Sequence, residues 1–218
     1  MQIKNTKGKV LLTIKKDTLR SANLHQIDLR GADFRGMNLR GVDLRGTDLT
    51  GANLHGANLQ GADLTEANLA YADLREADLE NANLKNADLE GADLTGADLH
   101  EADLESADLR GADLRNTYMQ SATLKNANLE GADLTGADLE SANLTSADLR
   151  GADLRHTYMQ SAILKNAKLQ GADLSGADLC RANLEKTDLR GICNYESILS
   201  FWRANKRKLL GIAKLMTD

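Results

Sequence analysis

Residues 61–114 read GADLTEANLAYADLREADLENANLKNADLEGADLTGADLHEADLESADLRGADL, and their period decides the fold. Leucine recurs at every fifth residue, alanine stands two places before it, and Asp or Asn stands between the two. The same register extends outward from Leu19 to Leu189 without insertion or deletion. Of its thirty-five leucine positions, only Phe34, Met119 and Met159 hold another residue. Sixteen of the eighteen glycines fall two residues after the leucine position. A fixed short period maintained over most of a chain is the signature of a repeat architecture.

Few conformations can satisfy a period of five. In an α-helix, successive leucines advance by five times about 100° and so wander over the whole surface. In a flat strand the side chains alternate faces, so an odd period sends every second leucine into water. All the leucines reach one core only if each pentapeptide bends once and the chain coils around its own axis. Residues 111–150 recur as residues 151–190, an offset of forty residues, which is consistent with a twenty-residue coil.

On these residues the chain resembles the pentapeptide repeat proteins, whose motif is A(D/N)LXX, over about residues 19–191. The resemblance implies an all-β solenoid: a right-handed quadrilateral β-helix with four pentapeptides per coil, Leu and Ala inward, the other three positions outward. At four repeats per coil the register makes just under nine coils, a rod roughly 40 Å long at the spacing of neighbouring strands. The division expected is a cap at 1–16 built as a short hairpin, a β-helix at 17–193, and a C-terminal amphipathic α-helix at 194–218.

Composition agrees with a narrow core. The chain is 42% hydrophobic, yet it has no proline and only seven aromatic residues. Two cysteines, Cys180 and Cys193, are too few to staple a chain of this length, which suits a reducing compartment. No signal peptide or apolar run of membrane-spanning length is evident, so a cytoplasmic protein without membrane contact is expected. No cofactor is expected. The histidines His25, His55, His100 and His156 occupy outward positions in different coils and form no metal-ligand set. The aspartates are equivalent by register, whereas catalytic carboxylates need distinct environments, so no enzyme is expected.

The surface is read by taking every twentieth residue. Lys85, Glu105, Lys125, Thr145, Lys165 and Glu185 form one column; Glu90, Arg110, Glu130, Arg150, Gln170 and Arg190 form another. Opposite charges thus stack on neighbouring coils, and such alternation is ordinarily a solvated face. A third face carries the acidic ladder Asp73, Asp93, Asp113, Asp133, Asp153 and Asp173, half compensated by Arg75, Arg115 and Arg155. Those aspartates have a structural reading as acceptors for turn amides and a functional one as a DNA-like acidic surface. Two repeats depart from the motif together: Tyr118-Met119 and Tyr158-Met159 replace Asp-Leu on one face, with Asp138 between them. Duplication of one variant coil explains the pair. As a candidate protein-binding patch, the two tyrosines lie about 10 Å apart.

Both ends change composition in a way suited to covering an open stack. Ile3, Val10, Leu11, Leu12 and Ile14 flank Asn5-Thr6-Lys7-Gly8 at the start. At the other end Asn194 is placed to cap a helix in which Tyr195, Ile198, Leu199, Trp202, Leu209, Leu210, Ala213 and Met216 follow helical spacing. Phe201, Ile212 and Leu215 widen the apolar stripe beyond what one contact needs. With Trp202 they are candidate contacts for a homodimer through this helix or for a second helix folding back. The basic cluster Arg203, Lys206, Arg207 and Lys208 lacks interleaved aromatics, so direct nucleic-acid binding is not expected.

The leading functional reading is a non-enzymatic structural or protein-interaction module that presents a charged rod to an unidentified protein partner. The alternative is a DNA mimic that binds gyrase or another topoisomerase, like the quinolone-protecting members of the family. The leucine-rich, loop-free register resembles instead the cyanobacterial-type bacterial members with no assigned activity.

Overall fold

The computed structural model describes residues 2–14, 19 and 24–193. The expected C-terminal helix lies outside the described residues. Parallel bridges join each Asp or Asn position to the one twenty residues on, from Asp28↔Asp48 to Asp173↔Cys193. One coil is therefore four pentapeptides, and the rod has four faces.

Within the stack, a pentapeptide that keeps Asp or Asn uses all of its amide hydrogens, which is why the motif can repeat with no other support. In the repeat 72–76 the N–H of Ala72 donates to Leu69 O at 3.0 Å, closing a turn. That of Asp73 donates back to Ala52 O at 2.9 Å, and that of Leu74 forward to Asp93 O at 2.7 Å. The N–H of Arg75 donates to the carboxylate of its own Asp73 at 3.2 Å, and the N–H of Glu76 to Thr95 O at 3.1 Å. The fifth position is the third residue of the turn, where φ must be positive. Glycine fills it in sixteen repeats; eighteen non-glycine residues, including Tyr71, Asn116 and His156, hold φ between 54° and 60° there.

The core is two residues deep. The leucine positions are almost fully excluded from solvent along the rod, as are Phe34, Met119 and Met159 in the same register, with the alanines packed between them. Thr47, Thr117, Thr157 and Thr187 take alanine positions and are also buried. Each hydroxyl donates to a leucine carbonyl at 2.7–2.8 Å, so no polar group is stranded there.

At the start, β1 (Gln2–Lys4) pairs antiparallel with β2 (Val10–Thr13). The hairpin lies along the open edge of the first coil: Asp33 N donates to Lys4 O at 2.8 Å, and Thr6 N to Gly31 O at 3.1 Å. Ile3 is buried against the leucine stack, with Leu11, Leu12 and Ile14 packed beside it.

Candidate interaction surface

Each face is a column of rungs, and the four columns differ in how their charges are satisfied. Face I carries the acidic ladder, face II the tyrosine repeats, face III the column from Asp43 to Asn183, and face IV the column from Asp28 to Asp188.

On face I the ladder is tied to its own cations. Asp73, Asp113 and Asp153 lie 2.7, 2.5 and 2.6 Å from Arg75, Arg115 and Arg155. The hydrogen bond from each guanidinium holds these carboxyls below the usual carboxylate range. The intervening Asp93 and Asp133 accept the hydroxyls of Thr95 and Thr135 at 2.6 Å, and Ser175 donates to Asp173. Arg75 and Arg115 also reach across the rung to Asp93 and Asp133 at 3.7 and 3.8 Å. Every aspartate of the ladder also accepts the N–H two residues on, so each has a structural role in its turn.

Faces III and IV are paired in the same manner. Lys85 lies 3.1 Å from Asp103, Lys125 3.1 Å from Glu105, and Lys165 3.2 Å from Glu185. Arg150 lies 2.8 Å from Glu130 and Lys168 2.9 Å from Asp148. Asp88, Glu90 and Asp108 converge closely enough to hold a metal ion. The Arg110 guanidinium stands among them, 2.6 Å from Glu90 and 2.7 Å from Asp108, and already supplies the countercharge.

Face II differs. From Gln60 to Cys180 it holds no lysine or arginine, while Asp78, Glu80, Asp98, Asp138, Glu140 and Asp178 are all on it. None of these six carboxylates forms an ion pair among the described residues. Tyr118 and Tyr158 replace aspartates in this column and are 54% and 53% exposed, with Met119 and Met159 fully buried beneath. Asp138 bridges both tyrosine rungs. Its carboxylate accepts the Glu140 N–H at 3.0 Å and the Gln120 side-chain amide at 2.7 Å; Gln160 donates likewise to Asp178 at 2.7 Å. At the edge of the first rungs, Gly41 and Gly61 leave a shallow groove of about 450 Å³ lined also by Arg40, Gln60, Glu80 and Asn81.

The structure thus brings Tyr118, Asp138 and Tyr158 together and places Asp73 to Asp173 on a neighbouring face. Phe201, Trp202, Ile212 and Leu215 lie outside the described residues. Sequence reasoning missed Glu80, Glu140, Gln120 and Gln160; the signal was available by reading every twentieth residue from Arg40 and finding no further lysine or arginine through Cys180. Among the described residues no helix is long and apolar enough to cross a membrane.

The pattern for pentapeptide repeats matches in eight copies over residues 18–56, 57–96, 97–136, 122–160 and 157–193. No curated protein matches the sequence. Among solved structures, HetL from Nostoc sp. strain PCC 7120, a pentapeptide repeat protein involved in heterocyst differentiation regulation, is 36% identical. That likeness covers 80% of this chain and 92% of HetL, with a TM-score of 0.44. A trypsin-treated form of QnrB1, a plasmid-mediated fluoroquinolone resistance protein, is 22% identical over 82% of this chain and 95% of its own, with a TM-score of 0.60. At that identity it is alike in fold alone. A pentapeptide repeat protein of the Arabidopsis thaliana thylakoid lumen is 31% identical over 53% of this chain and 67% of its own, with a TM-score of 0.38. With the motif matched from residue 18 to residue 193, the chain belongs to the pentapeptide repeat family and forms its right-handed β-helix.

Proposed function

We propose that the protein is a non-enzymatic interaction module whose rod displays a recognition surface to another protein. The observation that carries this reading is the pair Tyr118 and Tyr158. Each ring is about half exposed where the motif calls for an aspartate that would accept a turn amide. Exposed aromatics flanked by polar groups are characteristic of protein contact surfaces. The ladder aspartates accept turn amides and many carboxylates of the other three faces are held by the rod's own cations, so these groups have a structural explanation, which supports a non-catalytic role. The test is a quantitative capture experiment comparing the wild type with the double variant Tyr118→Ser, Tyr158→Ser. Proteins retained by the wild type and lost on the variant are expected; an identical set on both, or none on either, refutes the reading.

A cytoplasmic, bacterial setting belongs to the same proposal; the two free, exposed cysteines suit a reducing compartment. So does a homodimer through residues 194–218. Light scattering on the full chain and on a chain ending at Ile192 tests it: a full-length monomer overturns the dimer. The DNA-mimic alternative gains little, because QnrB1 is alike in fold only and half of the ladder that would imitate phosphates is closely paired with arginine. No inhibition of gyrase supercoiling at micromolar protein, with or without a quinolone, is the expected result.

A further inference from the structure

We infer that face II docks an extended, arginine-bearing segment of a partner protein, with guanidinium groups lying over Tyr118 and Tyr158 and paired to the carboxylates between them. This deepens the interaction-module reading and rests on it. The argument begins from the contrast between faces. An arginine arriving at face I, III or IV meets carboxylates already held by the rod's own Arg75, Arg115, Arg155, Lys85, Lys125, Arg110 or Arg150. It would have to displace a built-in cation. Face II has no lysine or arginine to displace between Gln60 and Cys180, and the histidine of the column, His100, lies 3.6 Å from Glu101, which is not among the six carboxylates.

The order of groups down the column then selects the chemistry. From one rung to the next it runs Asp98, Tyr118, Asp138, Tyr158, Asp178. Rungs stand about 4.8 Å apart, so each tyrosine has a carboxylate on either side within reach of one guanidinium. A planar guanidinium can stack on a phenol ring and direct its N–H groups at an adjacent carboxylate; an ammonium group cannot do both in that geometry. Asp138 and Asp178 already accept one amide from Gln120 and Gln160, which holds the carboxylates in place, and a carboxylate has further acceptor sites. The stretch from Asp78 to Asp178 spans five rung spacings, about 24 Å, which an extended chain covers in roughly seven residues. The surface is one pentapeptide wide and flat, which suits a strand better than a helix.

The test uses fluorescence anisotropy with three labelled eight-residue peptides alternating glycine with arginine, with lysine or with glutamate, at low and physiological salt. The full-length protein is compared with Tyr118→Ser/Tyr158→Ser, with Asp138→Asn/Glu140→Gln, and with the face I control Asp93→Asn/Asp133→Asn. Circular dichroism verifies that each is folded. The arginine peptide is expected to bind several-fold more tightly than the lysine peptide, and the glutamate peptide not at all. Each face II pair should weaken arginine-peptide binding about tenfold, and the equally charge-changing control less than about twofold. Equal losses on both faces, or no arginine preference, would mean unspecific attraction to an acidic rod and overturn the proposal. A photocrosslinking residue placed at position 120, 125 or 135 in producing cells separates this failure from that of the broader reading. Crosslinks from 125 or 135 alone leave an interaction module and sink face II. No crosslink from any position sinks both. A crosslink from 120 to a segment without arginine also refutes the assignment.

Discussion

At Gly91 the backbone holds φ at 62°, and a methyl group there would lie 2.7 Å from Cε1 of Tyr71, one coil earlier. Gly111, in the same column and at nearly the same φ, has nothing within 4 Å. The two glycines therefore separate conformational cost from steric cost. Gly111→Ala is expected to destabilise by about 1 kcal/mol, the penalty of a side chain in the left-handed region. Gly91→Ala should cost about 0.5–1 kcal/mol more, because the exposed Tyr71 ring must turn aside from its rotamer, and Tyr71→Ser should remove that excess in the double variant. Urea midpoints of the four proteins measure it. Tyr118 illustrates the opposite trade. It gives up the carboxylate or amide oxygen that elsewhere accepts the N–H two residues on, as Asp98 does for His100 at 2.9 Å. Tyr118→Asn restores that acceptor without adding charge and is expected to raise stability by about 0.5–1 kcal/mol while weakening binding. A variant no more stable than the wild type would show that the ring contributes packing that exposure conceals.

At the scale of the pentapeptide, the Asp–Arg pairs couple stability to pH. Asp28 and Asp43 are brought down to about 2, chiefly by hydrogen bonds from Arg30 and Arg45, and Asp33, Asp73, Asp113, Asp153 and Asp188 are lowered in the same way. A carboxyl with a lower pKa in the folded state than the unfolded value of about 3.9 stabilises the fold above that value. The contribution is lost as pH falls through the folded values. Urea midpoints should therefore be level between pH 7 and pH 5 as far as these groups act, and lower at pH 3. Because the pairs are exposed, each contributes little, and 1 M salt should shrink the pH 3 loss. A midpoint unchanged at pH 3 would remove the pairs from any account of stability.

Over the whole molecule, each coil contacts only its neighbours, so stability is a sum of like terms and the rod can lose a unit and remain a rod. Deleting residues 131–150 removes one coil and leaves every later residue over the column it already occupied. The circular dichroism spectrum should be unchanged and the urea midpoint modestly lower. Deleting 131–135 alone keeps every leucine inside but turns all later repeats by one face. Tyr158 then leaves the column of Tyr118, cross-rung pairs such as Arg150–Glu130 are lost, and the midpoint should fall further although fewer residues are gone. Equal midpoints would show that the faces have no energetic identity. The period of five, read from Leu19 to Leu189, determined by itself that the chain coils and which residues face inward; that Tyr118, Asp138 and Tyr158 share a face needed the four repeats per coil that the family resemblance implied and the forty-residue duplication supported. These follow because one local conformation is repeated without interruption and burial selects the same two positions each time. The register also set which faces carry cations; the tertiary structure alone decided which individual carboxylates those cations reach. Register places Asp73 and Asp138 in equivalent positions, but only the path of a guanidinium across a turn or to the next rung pairs Asp73 with Arg75 and leaves Asp138 between two exposed rings. Charge satisfaction depends on distances between side chains twenty residues apart, and a one-dimensional pattern orders these residues without setting how far they reach.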